Sequence, residues 1–377
     1  MSLSYTESIV HLKAPIISEN TILKYITCTR PKRHDGVNIT IEQINQKQVI
    51  HCYGHAGFGW STLFDSINHA IELFENHAID LNKPICVIGS GCMGLTAAIE
   101  LAHRGYTISK IITKDLYDLP SWRAPGCFAL DSATMVGPEK ENHKKMVFET
   151  FKSYKSIDSG MHPYLKPGAV RFLPIYCMDG MYGGFEGLEK EGLIPQRETV
   201  TLDLSNGIQH KNFIKFMTYF MDTAKLMQQL HDEVVRLGIA IEIKNISSFD
   251  DVQEDIIFNC TGMGGKELNN DTSMVPTRGH LIVLNEHAGN EHMDYMLYAK
   301  VEQNGQQEIV LIFPKSLAVS SDYPQGVSCC ATLGGTYLPI DNAMTTQELE
   351  ELDKREFKKL TDRLSLFFTG NPFVHSQ

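Results

Sequence analysis

The chain has 377 residues, with 34 basic against 45 acidic side chains, 42% hydrophobic and 9% aromatic residues, and a formal charge of -11. At roughly 150 residues per domain this suggests about two domains. The ordinary apolar fraction excludes disordered and fibrous classes, and the acidic balance argues against broad nucleic-acid or anionic-membrane binding.

A strand is expected at Thr21–Thr27, followed by the glycine-rich loop Tyr53–Gly59. Trp60, Leu63, Phe64, Ile67, Ala70, Ile71 and Phe74 then fall on one helical face, with Ser61 at the expected N-cap. After a connection at Glu75–Asn82, the short apolar run Ile85–Ile88 reads as a strand buried on both faces. Gly89, Gly91 and Gly94 follow in G-x-G-x-x-G spacing, and Leu95, Ala98, Ile99, Leu101 and Ala102 recur at helical spacing until Gly105. Tyr106–Thr113 closes a βαβ unit. Phe213–Leu237 reads as one long helix stopped by Gly238, with strands at Ile239–Ile243 and Asp255–Asn259. Glu308–Pro314 and Gly326–Tyr337 read as paired strands, and Thr346–Phe368 as a charged amphipathic helix.

No apolar run approaches the ~20 residues that cross a bilayer. The start MSLSYTES has neither the charged nor the apolar region of a signal peptide. Nine cysteines without a CxxC pair, two of them adjacent at Cys329 and Cys330, suit neither a zinc site nor a disulfide framework. The expectation is a cytoplasmic protein with reduced thiols.

The glycine fingerprint carries the first chemistry. Gly89 allows the tight turn, Gly91 lets the backbone approach a pyrophosphate, and Gly94 lets the helix pack on the strand. The helix N-terminus, with Cys92 and Met93 in its first turn, presents free N–H groups and a positive dipole end to phosphate. At the end of the second strand, Lys114 and Asp115 are the residues placed to meet a ribose. The fingerprint does not choose between NAD and FAD.

Several segments together resemble the D-amino-acid oxidase family of FAD-dependent oxidoreductases, in rotated order. VIGSGCMGLTAAIELAHRGY resembles the family's opening fingerprint, DIIFNCTGMGGKEL its second flavin-contacting stretch, and PTRGHLIVL the strand that follows, with His280 where the family usually has Gln. IVLIFP and ATLGGTYLP resemble strands of the substrate domain. CTRPKRHDGVNITIE and VIHCYGHAGFGWSTLFDSINHAIELF resemble segments that close the family's chains but stand at the front of this one.

The resemblance implies an α/β fold, a Rossmann-like FAD domain plus a substrate domain on a mixed sheet, in permuted order. The expected division is 38–137 and 198–265 for FAD, and 1–37, 138–197 and 266–377 for substrate. It implies FAD as cofactor, a small amine or amino-acid substrate, dioxygen as acceptor and hydrogen peroxide as product, and leaves a homodimer open. Arg30 matches the arginine that grips the substrate carboxylate, and Tyr337 a hydroxyl near the same group. Arg33 is either a second contact or a structural ion pair, and Tyr298 is a further candidate. Gly57, Gly59, Trp60 and Ser61 match the loop and helix end facing the flavin ring. Ser121, Ile246, Thr261 and Gly262 match other cofactor contacts. Where relatives often carry a tyrosine, this chain has Leu311. His55 is expected to shape its turn. Two rivals remain: an NAD-linked dehydrogenase sharing only the fingerprint, and a flavin-binding scaffold or sensor without activity.

Overall fold

A computed structural model describes residues 8–77, 80–129, 139–181, 183–285, 293–317, 327–341 and 343–374. Its elements run β1 (Ser8–His11), β2 (Ile22–Arg33), β3 (Asn38–Ile44), β4 (Lys47–Tyr53), α1 (Gly59–His77), β5 (Ile85–Ile88), α2 (Cys92–His103), β6 (Ile108–Thr113) and α3 (Pro120–Arg123). Then come α4 (Glu139–Asp158), β7 (Val170–Met178), α5 (Gly183–Lys190), β8 (Glu198–Asp203), β9 (Gln209–Met221), α6 (Thr223–Arg236), β10 (Ala240–Ile243), β11 (Ile256–Asn259) and α7 (Gly265–Leu268). The chain finishes with β12 (Met274–Leu284), β13 (Met296–Gln303), β14 (Gln306–Leu317), β15 (Val327–Gly334), β16 (Leu338–Pro339) and α8 (Thr346–Thr369).

Two sheets organise these elements. A six-stranded sheet has the order β10-β6-β5-β11-β4-β3, parallel except for the β3–β4 hairpin. Its central strands β5 and β11 are buried along their whole length, as a strand covered on both faces must be, and their residues are apolar accordingly. All seven apolar residues expected on the α1 face are buried. Helix α1 starts two residues earlier than its expected cap, at Gly59, so Ser61 lies inside the first turn.

The ten-stranded sheet is mixed, in the order β1-β8-β9-β7-β13-β14-β15-β12-β16, with β2 also paired along β12. The expected long helix over Phe213–Leu237 is instead the end of β9 followed by α6. Strand β9 lies between β7 and β8, and packing over its second half buries Phe213, Phe216, Tyr219, Phe220 and Met221. Such a covered strand loses its alternation and mimics a helical face. This sheet also holds β8 and β9, so residues 198–221 leave the expected nucleotide domain. Helix α8 has a Thr345–Glu348 capping box at its start and ends on Gly370 at φ 71.

Two strands of the ten-stranded sheet, β2 and β14, meet at α3. Arg123 Nη1 donates to Thr27 O on β2 at 2.8 Å. The buried Lys315 of β14 donates to Trp122 O at 2.9 Å, Ala124 O at 2.8 Å and Thr223 Oγ1 at 3.0 Å. A four-residue helix thus ties β2, β14 and the start of α6 together. No described helix is long and apolar enough to cross a membrane.

Candidate active site

The parallel strands β4, β5, β6 and β11 all finish at one edge, where ligands bind in open parallel sheets. The ladder continues past the strands: Gly89 N donates to Ile112 O at 2.8 Å and Cys260 N to Ile88 O at 2.8 Å. The three fingerprint glycines have different reasons to lack a side chain. A methyl on Gly89, which sits at φ +106, would overlap the carbonyl of Cys260, and one on Gly94 would overlap that of Gly89. A methyl on Gly91 would meet only the Ser121 hydroxyl, at 3.1 Å. Gly89 and Gly94 are therefore packing glycines, whereas Gly91 borders open space.

Ser121 Oγ accepts the Cys92 N–H at 3.0 Å, satisfying one of the free donors of the first turn of α2. Its carbonyl accepts the Trp60 indole N–H at 3.3 Å, which ties α3 to α1. Trp60 is buried, with its own carbonyl accepting Tyr154 OH at 2.8 Å. Ser61 Oγ faces the Ala129 N–H at 3.5 Å. A methyl on Gly59 would lie 3.7 Å from Met93 Cε and 3.9 Å from Cys92 Sγ. The N-termini of α1 and α2 therefore converge. Each helix end favours a nearby negative charge by about 0.3–2 kcal/mol. The Cys92 thiol is buried, which pushes it up to about 11 and keeps it protonated.

Asp115 is exposed and caps its own turn, with Oδ1 accepting Tyr117 N at 2.8 Å and Asp118 N at 3.0 Å. Those N–H groups hold its carboxyl below the ordinary range. Lys114 is exposed beside it. Ile246 packs partly buried against the Val49–Ile88–Phe249 cluster, in a loop whose Lys244 N–H donates to Thr113 O at 2.9 Å. Thr261 Oγ1 donates to Asn259 Oδ1 at 2.7 Å, which folds the turn after β11. Gly262 lies at φ +58, and a methyl on it would sit 3.8 Å from Pro31 Cγ.

That last contact brings the front of the chain to this edge. Arg30 stands on β2 opposite Thr277, and a methyl on Gly57 would lie 3.7 Å from Arg30 Cδ. Arg30 Nη1 donates to Thr336 O at 3.1 Å, its Cζ lies 5.3 Å from the centre of the Tyr337 ring, and its guanidinium fills the space over Gly279. Tyr337 is 39% exposed. Among the described residues no carboxylate forms an ion pair with Arg30. Two positions before it, Cys28 has its thiol pushed up by burial and pulled back by Arg30, Arg123, Lys315 and Arg278. Four cations therefore surround Cys28 behind Arg30's strand.

Arg33 is the structural member of its pair. Its Nε donates to Asp271 Oδ2 at 2.7 Å, and Tyr53 OH donates to the same oxygen at 2.8 Å. Burial works against the Asp271 charge, yet these donors hold its carboxyl below the ordinary range. His55 bridges Lys32, and its carbonyl accepts Phe58 N at 2.9 Å, so it does shape the turn. Leu311 stands beside the Gly335–Thr336 turn: a methyl on Gly335 would lie 2.6 Å from Leu311 Cδ1. Tyr298 is its partner one strand away on β13. Lys315, Thr336 and Asp353 were not singled out by sequence, since their partners lie far away along the chain.

FAD fits this edge on structural grounds: Gly91 borders a space that a methyl would begin to fill, and two helix N-termini face it. Gly91, Cys92, Met93 and Gly94 would hold the pyrophosphate, and Gly57, Gly59 and Trp60 would stand toward the flavin ring.

Comparison with known proteins bears on the same chemistry. A D-amino-acid oxidase of Dictyostelium discoideum is 36% identical over 234 residues, covering 56% of this chain and 59% of that protein. A D-amino acid oxidase of Dugesia ryukyuensis is 32% identical over 208 residues, covering 52% of this chain and 60% of that protein. The chain thus spans about three fifths of the length of these curated relatives. Iminodiacetate oxidase from Chelativorans sp. BNC1 is structurally similar at a TM-score of 0.45 and 11% identity, over 74% of this chain and 79% of that one. The family profile described as FAD dependent oxidoreductase matches residues 84–370, roughly three quarters of the sequence. The chain belongs to this family of FAD-dependent oxidoreductases.

Proposed function

We propose that the protein oxidises a small amine bearing a carboxylate, a D-amino acid or a close analogue, to the imine, with dioxygen as final acceptor and hydrogen peroxide as product. The observation that carries this reading is Arg30: a guanidinium with no carboxylate partner among the described residues, anchored by Thr336 O and set beside the Gly57 loop. A planar guanidinium holds a carboxylate through two parallel hydrogen bonds, which fixes the face that Cα presents. When bound, FAD supplies the two-electron acceptor that takes the hydride and passes the electrons to dioxygen. The chain's own residues orient and enclose. Arg30 and Tyr337 bind one end of the substrate, Leu311 and Gly335 form the adjacent wall, and the two helix ends favour negative charge at the opposite side.

The reading includes a rotated motif order. The family match begins at residue 84, yet β2 and β4, ahead of it, pair with β12 and β11 within it. The first and last described elements also meet at one hairpin. His11 Nδ1 lies 3.5 Å from Asp203 Oδ2, and Asn206 Nδ2 donates to Phe368 O at 2.8 Å.

The test is anaerobic bleaching of the FAD-loaded protein with D-amino acids, glycine and N-methyl amino acids, repeated with Arg30→Met. At least one carboxylate-bearing amine should bleach the flavin. Arg30→Met should raise the half-saturating concentration by about 10–100-fold, the loss of a charge-assisted pair at about 1.5–3 kcal/mol. A flavin left oxidised by the whole panel would remove the activity. Unchanged saturation in Arg30→Met would remove both the grip and the functional place given to the front segment.

A further inference from the structure

Helix α8 reaches the grip from behind. Asp353 accepts His280 Nε2 at 2.9 Å and Arg278 Nε at 2.8 Å. His280 is fully buried, and its Nδ1 lies 2.6 Å from Thr336 Oγ1, which also accepts the His280 main-chain N–H at 2.9 Å. The donor inventory fixes the protons. A carboxylate only accepts, so Nε2 carries the hydrogen, Nδ1 accepts, and the Thr336 hydroxyl donates to it. Ten residues further along α8, Arg363 is 1% exposed and donates Nη2 to Gly335 O at 2.6 Å and Nη1 to Glu308 Oε2 at 2.8 Å.

Two consecutive residues of the turn after β15 are therefore held by α8. The second of them, Thr336, presents the carbonyl that anchors Arg30. An Asp–His–hydroxyl series invites comparison with a nucleophile triad, but here the hydroxyl belongs to a residue 8% exposed and is hydrogen-bonded to His280 as both donor and acceptor. Its product is position.

We propose that α8 sets the geometry of the carboxylate grip, with His280, Asp353 and Arg363 as positioning residues that act on Arg30 through the Gly335–Thr336 main chain. The proposal rests on Arg30 being the grip. With the brace intact, Thr336 O holds Arg30 before substrate arrives, so less side-chain freedom is lost on binding. With the brace cut, that ordering falls on the ligand.

The experiment uses the FAD-loaded protein and calorimetric titration with benzoate, with uncharged benzamide as the control of like shape. His280→Ala should weaken benzoate binding about tenfold, the scale of immobilising one or two long side chains. Benzamide and FAD affinities should stay within about twofold. Thr336→Val cuts the same link while keeping shape and carbonyl, and should match it. His280→Gln should recover most of the loss, because its amide can donate to Asp353 and accept from Thr336. In turnover, KM should rise with kcat nearly unchanged. Benzoate affinity within about twofold of wild type in both His280→Ala and Thr336→Val would overturn the brace. So would parallel losses for benzamide and FAD, which indicate general loosening. Arg30→Met separates the two ideas. Benzoate binding that survives Arg30→Met removes the grip itself, whereas binding lost there but kept in His280→Ala removes only the brace.

Discussion

The parallel-strand edge proposed to hold the nucleotide and the Arg30 cluster proposed as the carboxylate grip are built on opposite plans. At the edge, main chain meets main chain, Gly89 against Cys260 and Gly94 against Gly89, and one short-range serine hydroxyl, Ser121 Oγ, accepts the Cys92 N–H from 29 positions away. At the grip, charged and polar side chains reach across the molecule: Arg30 to Thr336 over 306 positions, Arg33 to Asp271 over 238, His280 to Asp353 over 73. Steric construction tolerates almost no change, because a backbone atom cannot move aside. Electrostatic construction degrades by degrees, because each bond is worth about 1–3 kcal/mol and its neighbours persist. The cofactor pocket and the substrate pocket should therefore fail in different ways.

The largest effect should come from setting two fingerprint glycines against each other. Gly94→Ala drives a methyl into the Gly89 carbonyl, inside a turn fixed by ladder bonds on both sides. A loss of about 3 kcal/mol or more is expected, with protein that is colourless and melts early. Gly91→Ala brings its methyl against the Ser121 hydroxyl alone, at 3.1 Å, with no main-chain atom in the way. Without FAD its melting temperature should fall by at most a few degrees, as the Ser121 hydroxyl gives way, while FAD affinity falls because the methyl stands where pyrophosphate would approach. Thermal melts with and without FAD check both. Equal melting losses in the two apoproteins would end the distinction between packing and cradle.

This contrast also explains what the sequence disclosed. The βαβ unit was legible because strand, glycines and helix are consecutive from Ile85 to Gly105. Helix α8 was legible because its amphipathic spacing is local. Arg30, Gly57 and Tyr337 came only from a family resemblance. No spacing rule connects residues 306 positions apart. The Phe213–Leu237 segment failed for a physical reason: the end of β9, Thr218–Met221, is buried on both faces and shows no alternation, and its apolar run joined the amphipathic α6 without a glycine or proline between them. The His280 series was invisible for the same reason as the grip. A buried histidine has no local signature, and its partners come from β15's following turn and from α8.

A medium effect should appear as acid sensitivity on the nucleotide side. His51 on β4 is fully buried against Tyr53 and Phe249, with Asn259 Nδ2 donating to its Nδ1 at 3.0 Å. Burial lowers its pKa from 6.5 to about 4, so the folded protein keeps it neutral where the unfolded chain is already protonated. Its stabilising contribution is complete above pH 6.5 and is lost as the pH falls toward 4, at up to about 1.4 kcal/mol per pH unit. Between pH 7 and pH 5 this single residue should remove about 2 kcal/mol of unfolding free energy. Urea titrations of wild type and His51→Gln at both pH values check it. The variant should lose about 2 kcal/mol less across that interval, and identical losses would show that the imidazole titrates freely in the folded state.

The smallest effect tests whether the two plans really join at α3. Ser121 touches both helix ends at the edge, through its hydroxyl to Cys92 N and its main-chain carbonyl to the Trp60 indole. Ser121→Ala removes the first link and leaves the second. An N-terminal N–H that loses its side-chain acceptor costs about 1 kcal/mol when nothing replaces it. Bound phosphate can replace it, since the same N–H faces the space beside Gly91. The variant should therefore melt a few degrees lower without FAD and close to wild type with it, while benzoate affinity at Arg30 stays unchanged. If instead the loss persists with FAD bound, the hydroxyl serves the fold alone and the first turn of α2 does not meet phosphate. If benzoate binding weakens too, α3 carries strain from the edge to the grip, and the two regions are less independent than their construction implies.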